Sequence, residues 1–375
     1  MSKKIIIHAG FPKSGTTALQ ASLNEYKKSL RDQGIVYSTA WNNAHHRPAW
    51  AVMGYVFGWE GKGGSTTPIS VWEKFVRQIK KSKKTFLISS EFFSHAPKEV
   101  VQRIHDDLAA DDIEIIFTLR PFAKILPSRY QQSLKKGKKW TYEEWLSKVF
   151  SEVSTHQDDS YMIDYAGILK TWADVFGQEN VTLVLTDETN PDNLYRRFEQ
   201  AVGISSDTLQ VATTKKLNRS LTGSEVSILR AVNERKPKKW KWDQYRYFIR
   251  GNFVKYLSDH PSKFPQDPKL ELPNSSLDNL ATYAKSQIAQ IDSLGIQILG
   301  NSSELHVDAS RSEFEYKFDM VPVEMVADLV IHLSSISRLA GTSTRTLIQE
   351  LGIRLTRSPK FYVRLPGHII TRIFK

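Results

Sequence analysis

The chain has 375 residues, more than one compact core usually holds, so one large domain with additions, or two domains, is expected. Hydrophobic residues at 40% and charged residues at 25% are ordinary for a globular protein, and the absence of cysteine excludes disulfides, thiol nucleophiles and cysteine-ligated zinc. The formal net charge of +12 favours anionic ligands such as nucleic acid, anionic lipid, acidic glycans or phosphorylated cofactors, although a solvated basic surface gives the same balance.

In chain order, the β-rich run KKIIIHA over residues 3–9 stops at Gly10 and leads into a helical pattern over 16–30. The aromatic, glycine-rich stretch over 37–70 follows, and a connection of that length is more often functional than idle. Strands are then expected over 84–91, 112–120 and 180–188, each followed by a helix, over 97–109, 121–134 and 191–202. Short apolar strands alternating with helices imply a parallel sheet covered on both faces, a three-layer α/β/α fold. Beyond about residue 237 the pattern weakens, with helices expected over 277–294 and 323–339. The apolar run near the start is too short for a secretion signal, and no stretch approaches the ~20 apolar residues that span a bilayer, so a cytoplasmic location is expected.

The turn after the first strand reads GFPKSGTT, residues 10–17. Gly10 and Gly15 have the glycine spacing of a Walker A phosphate loop, but Thr16 stands where that motif has its lysine, and the only lysine is Lys13. A strand, a glycine turn and a helix still aim backbone N–H groups and the positive helix end at an anion. Pro12 stiffens the turn, and Ser14, Thr16 and Thr17 add hydroxyls. A lysine at the crown of the loop lies over the first anhydride bond of a nucleotide, not over its β- and γ-phosphates. The implied substrate is a nucleotide with one phosphate and one transferable group, which a sulfuryl group satisfies. No strand ends in the aspartate that holds magnesium in nucleoside triphosphatases, and no metal is expected.

FPKSGTT resembles the 5′-phosphosulfate loop of sulfotransferases that use 3′-phosphoadenosine 5′-phosphosulfate (PAPS) and release adenosine 3′,5′-bisphosphate. LRPFAKILPSRYQQ, residues 119–132, is similar to the family's 3′-phosphate site, an arginine ending a strand and a serine eight residues later, here Arg120 and Ser128. TKKLNRSLTGSEVSILRAVN, residues 214–233, is similar to a segment of bacterial sulfotransferase-like proteins and offers Lys215, Lys216 and Arg219 to the cofactor's phosphates; a basic loop capping the next helix is the alternative. The Arg-Lys-Gly loop of the cytosolic small-molecule enzymes is absent. The resemblance covers about residues 1–235, the expected cofactor-binding core. Residues 236–375 then form a basic, mainly helical extension.

The resemblance implies a general base near the end of the second strand. LISSEFFSH offers Glu91, with His95 four residues later as the reserve, and a carboxylate base is closer to the carbohydrate sulfotransferases. His45, His46 and Arg47 are available for acceptor contacts, and the His-His pair lacks the carboxylate spacing of a metal site. ERKPKKWKWDQYRYFIR, residues 234–250, mixes cations with aromatics and fits an acidic saccharide or glycoconjugate; nucleic acid fits the same composition and is less favoured. The cations after Glu350 suit a peripheral contact with an anionic membrane. A P-loop nucleotide kinase and a non-catalytic nucleic-acid-binding protein remain the alternative readings.

Overall fold

The structure, a computed structural model, describes residues 4–38, 44–110, 112–152, 163–212, 219–260, 267, 269–307 and 321–337. In chain order the elements are β1 (Lys4–His8), α1 (Thr16–Glu25), α2 (Lys27–Asp32), β2 (Ile35–Val36), α3 (His46–Met53), β3 (Val56–Phe57), β4 (Ser65–Thr66), α4 (Ser70–Lys81) and β5 (Thr85–Ser89). There follow α5 (Lys98–Leu108), β6 (Asp112–Leu119), α6 (Phe122–Lys135), α7 (Tyr142–Glu152), α8 (Tyr165–Phe176), β7 (Val181–Leu185) and α9 (Asn193–Val202). Last come α10 (Gly223–Arg235), α11 (Trp242–Tyr245), α12 (Val254–Asp259), α13 (Asn274–Ser293), β8 (Gln297–Leu299) and α14 (Val323–Ser337).

Six strands form one sheet in the order β2-β5-β1-β6-β7-β8, every neighbouring pair parallel. β1 is central because its isoleucines have no polar face to offer water, so both sides must be covered. On one side Ile6, Leu87, Ile116 and Val184 pack under Leu19 and Leu23 of α1 and Leu194 and Phe198 of α9. On the other, α8 lies on β6 and β7, with the Trp172 ring 5.9 Å from that of Phe117. The result is the expected three-layer α/β/α architecture with a parallel sheet.

The sixth strand comes from an unexpected part of the sequence. β8 pairs with β7 through Thr182↔Gln297 to Val184↔Leu299, so residues beyond 235 complete the sheet. α13 carries the chain back to it, and Gln287 of α13 fixes α8 by accepting from the Ala166 N–H at 2.9 Å. The chain forms two compact units, Met1–Pro322 and Val323–Lys375, and α14 is the described part of the second. The basic run after Glu350 lies outside the described residues. No helix among the described residues is long and apolar enough to cross a membrane.

Residues 44–70 of the glycine-rich stretch are packed through aromatic rings. After α3, β3 and β4 make a small antiparallel hairpin whose Phe57 and Trp59 rings lie 5.9 and 5.6 Å from Trp242 of α11. Gly58 adopts a positive φ of 112° because Trp242 fills the space of a side chain: a Cβ there would lie 2.5 Å from its Cδ1.

Candidate active site

The carboxyl ends of β1, β5 and β6 carry His8, Ser89 and Thr118, three fully buried polar residues, beneath the loop over residues 9–15. In parallel sheets this edge is where ligands bind. The loop alternates handedness: φ is 45° at Gly10, 72° at Lys13 and 81° at Gly15. Gly10 cannot be replaced cheaply, since a Cβ would lie 2.5 Å from Thr16 Cγ2 and 2.9 Å from His8 Nε2. A lysine in the left-handed region costs about 1 kcal/mol or more, so this loop holds Lys13 in a conformation that lysine does not favour by itself. α1 begins at Thr16 with Gly15 as its cap, no capping side chain and no acid in its first turn. Ala18 N–H donates back to the Gly15 carbonyl at 2.9 Å, and the N–H groups that open a helix, which have no partner four residues back, favour an anion. Thr16 is buried and Thr17 exposed, while Pro12 is half-buried.

A single chain of hydrogen bonds supports this cradle. Ser14 Oγ donates to the Phe11 carbonyl and lies 2.8 Å from Thr118 Oγ1. Thr118 therefore donates to Ser14 and accepts from His8 Nε2–H at 3.4 Å. His8 Nδ1 then accepts from Ser89 Oγ at 2.9 Å, and Ser89 accepts from Gln20 Nε2 at 3.2 Å. The second hydrogen of that amide reaches Glu91 Oε2 at 3.1 Å. Loop, three strand ends and carboxylate are thus connected, with His8 in the neutral Nε2–H form. Burial agrees, pushing the imidazole from 6.5 down to about 3.

Glu91 stands in a short 3₁₀ turn, Glu91–His95, just past β5. Besides Gln20 it faces His46, whose Nδ1 is 3.8 Å from Oε2 and 2.9 Å from Ser90 Oγ. Lys13 is half-buried; burial lowers its pKa first, Glu91 raises it and the buried Arg129 lowers it again. A carboxylate and a second cation therefore both act on the lysine at the loop's crown. His95 is different: its Nε2 is enclosed with no hydrogen-bond partner among the described residues. Burial, then Arg129 and Lys136, hold its pKa well below 6.5.

The remaining sequence-chosen residues are spread around this centre. Arg120 follows β6 and makes a two-pronged ion pair with Glu188, Nε–Oε1 at 2.7 Å and Nη2–Oε2 at 2.6 Å. Ser128 is half-buried on α6. Because α6 starts only at Phe122, the strand-to-helix turn at Pro121, not helical periodicity, sets where Arg120 and Ser128 point. Arg219 grips Glu225 at 2.8 and 2.5 Å and donates to the Leu257 carbonyl, tying the start of α10 to α12. Glu225 also closes a capping box on Thr222, so this basic loop does cap the next helix. Lys215 and Lys216 lie outside the described residues. His45 is buried between the Ser38 carbonyl and the Ser89 N–H, and burial takes it down to about 4. Among the described residues no group of three His, Asp or Glu is placed to hold a metal ion.

Sequence reasoning missed Gln20, Arg129 and Lys135, and took in Arg250 only as one cation of the stretch over residues 234–250. Gln20 is a long amide set among the buried residues Leu19, Ala21 and Leu23 of α1, which was a usable signal. Trp242 and Tyr245, two aromatics of the basic stretch over residues 234–250, are core residues: the Tyr245 ring lies 4.9 Å from that of Trp59 and its hydroxyl donates to Asn233 Oδ1 at 2.7 Å. Trp240, Tyr247 and Phe248 stay nearer the surface, with Trp240 stacked on Phe248 at 5.6 Å.

The sequence matches no protein-family model and no curated protein. Among solved structures it is similar to a sulfotransferase from Alicyclobacillus acidocaldarius, at 18% identity and a TM-score of 0.40, over 62% of this chain and 93% of that one. What the cradle binds is set by this chain's own side chains.

Proposed function

We propose that the protein is a sulfotransferase that moves a sulfuryl group from PAPS to a hydroxyl of a saccharide or glycoconjugate. The observation that carries this reading is Lys13, at the crown of a loop that leads into a helix start with no capping side chain and no acid, with Glu91 acting on it and no carboxylate in ion-pairing distance among the described residues. The residues fit the donor: the loop suits a phosphosulfate, Lys13 supplies charge over its anhydride, and Arg120 with Ser128 is offered to the 3′-phosphate. When bound, PAPS supplies an activated sulfuryl group on a phosphate leaving group.

Glu91 takes the acceptor's proton as the acceptor oxygen bonds to sulfur. Lys13 and the α1 N–H groups stabilise the charge that gathers on the departing phosphate oxygen. Gln20 and His46 keep the carboxylate aimed at the loop. The enclosed nitrogen of His95 makes it the weaker choice of base. Lys216 stays a candidate for the cofactor's phosphates; Arg219 reaches them only by releasing Glu225.

The experiment is a calorimetric titration with adenosine 3′,5′-bisphosphate, with and without magnesium, followed by transfer of labelled sulfate from PAPS to a saccharide panel. Metal-independent binding and transfer are the expected results. Tight nucleic-acid binding without nucleotide binding would replace this reading, and magnesium-dependent triphosphate binding would favour a phosphotransferase.

A further inference from the structure

We infer that the end of α6 carries a second anion-binding recess, built by Lys135 and Arg250 beside Lys13, that takes a carboxylate or sulfate borne by the acceptor. The inference rests on the sulfotransferase reading and names the acceptor's chemistry at that same site.

Lys135 is half-buried and has no carboxylate in ion-pairing distance among the described residues. The charges that act on it are Lys13, Arg250 and Arg219 against one acid, Glu225, which is already held by the Arg219 fork. Burial and then Lys13 bring its ammonium down to about 8. Arg250 lies with its guanidinium carbon 5.4 Å from the centre of the Trp242 ring, and the groups that act on it are Tyr245, Tyr55 and Arg246, none of them a carboxylate. A helix C-terminus attracts one cation, but it does not explain several gathered around a single acid that Arg219 already holds. Enclosed charges are normally paired. An arriving anion removes this repulsion.

The recess is on the acceptor's side of the site. α6 has 14 residues and so rises about 20 Å, with Arg120 just before its first turn and Lys135 at its last. The cation offered to the 3′-phosphate and the recess are at opposite ends of one helix. Arg250 reaches the Lys135 end through Trp242, whose ring lies 5.6 Å from that of Trp59, and the Tyr55 ring packs 5.2 Å from Phe92, the residue after Glu91. The end of α6 is also held rigidly. Trp59 Nε1 donates to the Lys136 carbonyl at 2.7 Å, and Asn233 Nδ2 donates to those of Leu134 and Lys138 at 2.8 Å.

The test uses the whole protein saturated with adenosine 3′,5′-bisphosphate. Three probes of equal length are titrated: an unsulfated oligosaccharide containing glucuronate, a neutral glucose oligosaccharide, and the latter carrying one sulfate. The expected result is binding of one or both anionic probes about tenfold or more tighter than the neutral one, and the two anionic arms separate carboxylate from sulfate recognition. Lys135→Met and Arg250→Met, which keep the apolar stems, should each weaken the anionic probe about tenfold while nucleotide affinity changes little. Wild-type affinity for that probe should fall as pH rises through about 8, where Lys135 loses its charge. Lys135→Arg should keep binding and lose this pH dependence, which covers the case of a methionine variant that fails to fold. Equal binding of neutral and anionic probes overturns the inference. So does a loss of nucleotide affinity as large as that of the saccharide, since the cations would then belong to the donor. Wild type that binds no nucleotide removes the sulfotransferase reading itself, and the recess with it.

Discussion

The ion pair between Arg120 and Glu188 makes the donor reading measurable. If Arg120 receives the 3′-phosphate, its fork must first leave both oxygens of Glu188, which it holds at 2.7 and 2.6 Å. The two side chains are 34% and 33% exposed, so the pair is a partly screened one, worth about 0.2–1 kcal/mol. Glu188→Gln removes that competition and a carboxylate facing the phosphate, and should tighten adenosine 3′,5′-bisphosphate by about two- to fivefold. Adenosine 5′-monophosphate, which has no 3′-phosphate, should bind the variant and wild type alike. Arg120→Ala should weaken the bisphosphate by about ten- to a hundredfold, the loss of a charge-assisted contact of roughly 1.5–3 kcal/mol, and again spare the monophosphate. Calorimetry with both nucleotides on wild type, the two single variants and the double variant gives the full cycle. Weaker bisphosphate binding by Glu188→Gln, or equal losses for both nucleotides in Arg120→Ala, would refute the assignment and leave Arg120 as a structural tie between β6 and the loop after β7.

Lys13→Ala should lower turnover by about 10²–10³, the usual effect of removing one group that stabilises transition-state charge, and near wild-type rates from the folded variant would take Lys13 out of the mechanism. Glu91→Gln should keep nucleotide affinity and lose turnover; an active Glu91→Gln beside an inactive His95→Ala would move the base to His95. Replacing Lys238, Lys239 and Lys241 with alanine should raise acceptor KM, most at low salt, and an unaltered KM at every salt level would make this stretch a solvated surface. His8 and His45 titrate far below their unfolded value of 6.5, so stability is fully present above pH 6.5 and falls as pH drops, by about 2 kcal/mol per histidine at pH 5. Urea unfolding at both pH values checks this, and His8→Gln should flatten the dependence.

Much of the core was legible because β1, β5, β6 and β7 are short apolar runs bounded by turn residues, and the strand ends then locate Lys13 and Glu91 on one edge. β2 and β8 escaped because two and three residues leave no pattern to read. The cations of the recess were hidden for another reason. Lys135 sits in a run of lysines that reads as a solvated helix end, and the rings packed at that end, Trp59 on the Lys136 carbonyl and Trp242 beside it, come from distant parts of the sequence. His8 looked like one more strand residue, although a histidine closing an apolar strand at the binding edge was a signal of a buried polar network.

The two stretches that carried no regular pattern, residues 37–70 and 236–253, are where acceptor choice is expected to reside. They are not independent additions. Trp242 N–H donates to the Lys62 carbonyl at 2.7 Å, and Trp59 spans from α11 to the end of α6. A substitution in the hairpin therefore reaches Arg250 and Lys135 through aromatic contacts while β1, its loop and Glu91 stay fixed by the sheet. On the proposed reading, donor chemistry is set by parallel strands whose register tolerates little change, and acceptor chemistry by rings packed at their side. The same sheet edge can then keep one reaction while the aromatic wall changes the hydroxyl presented to it.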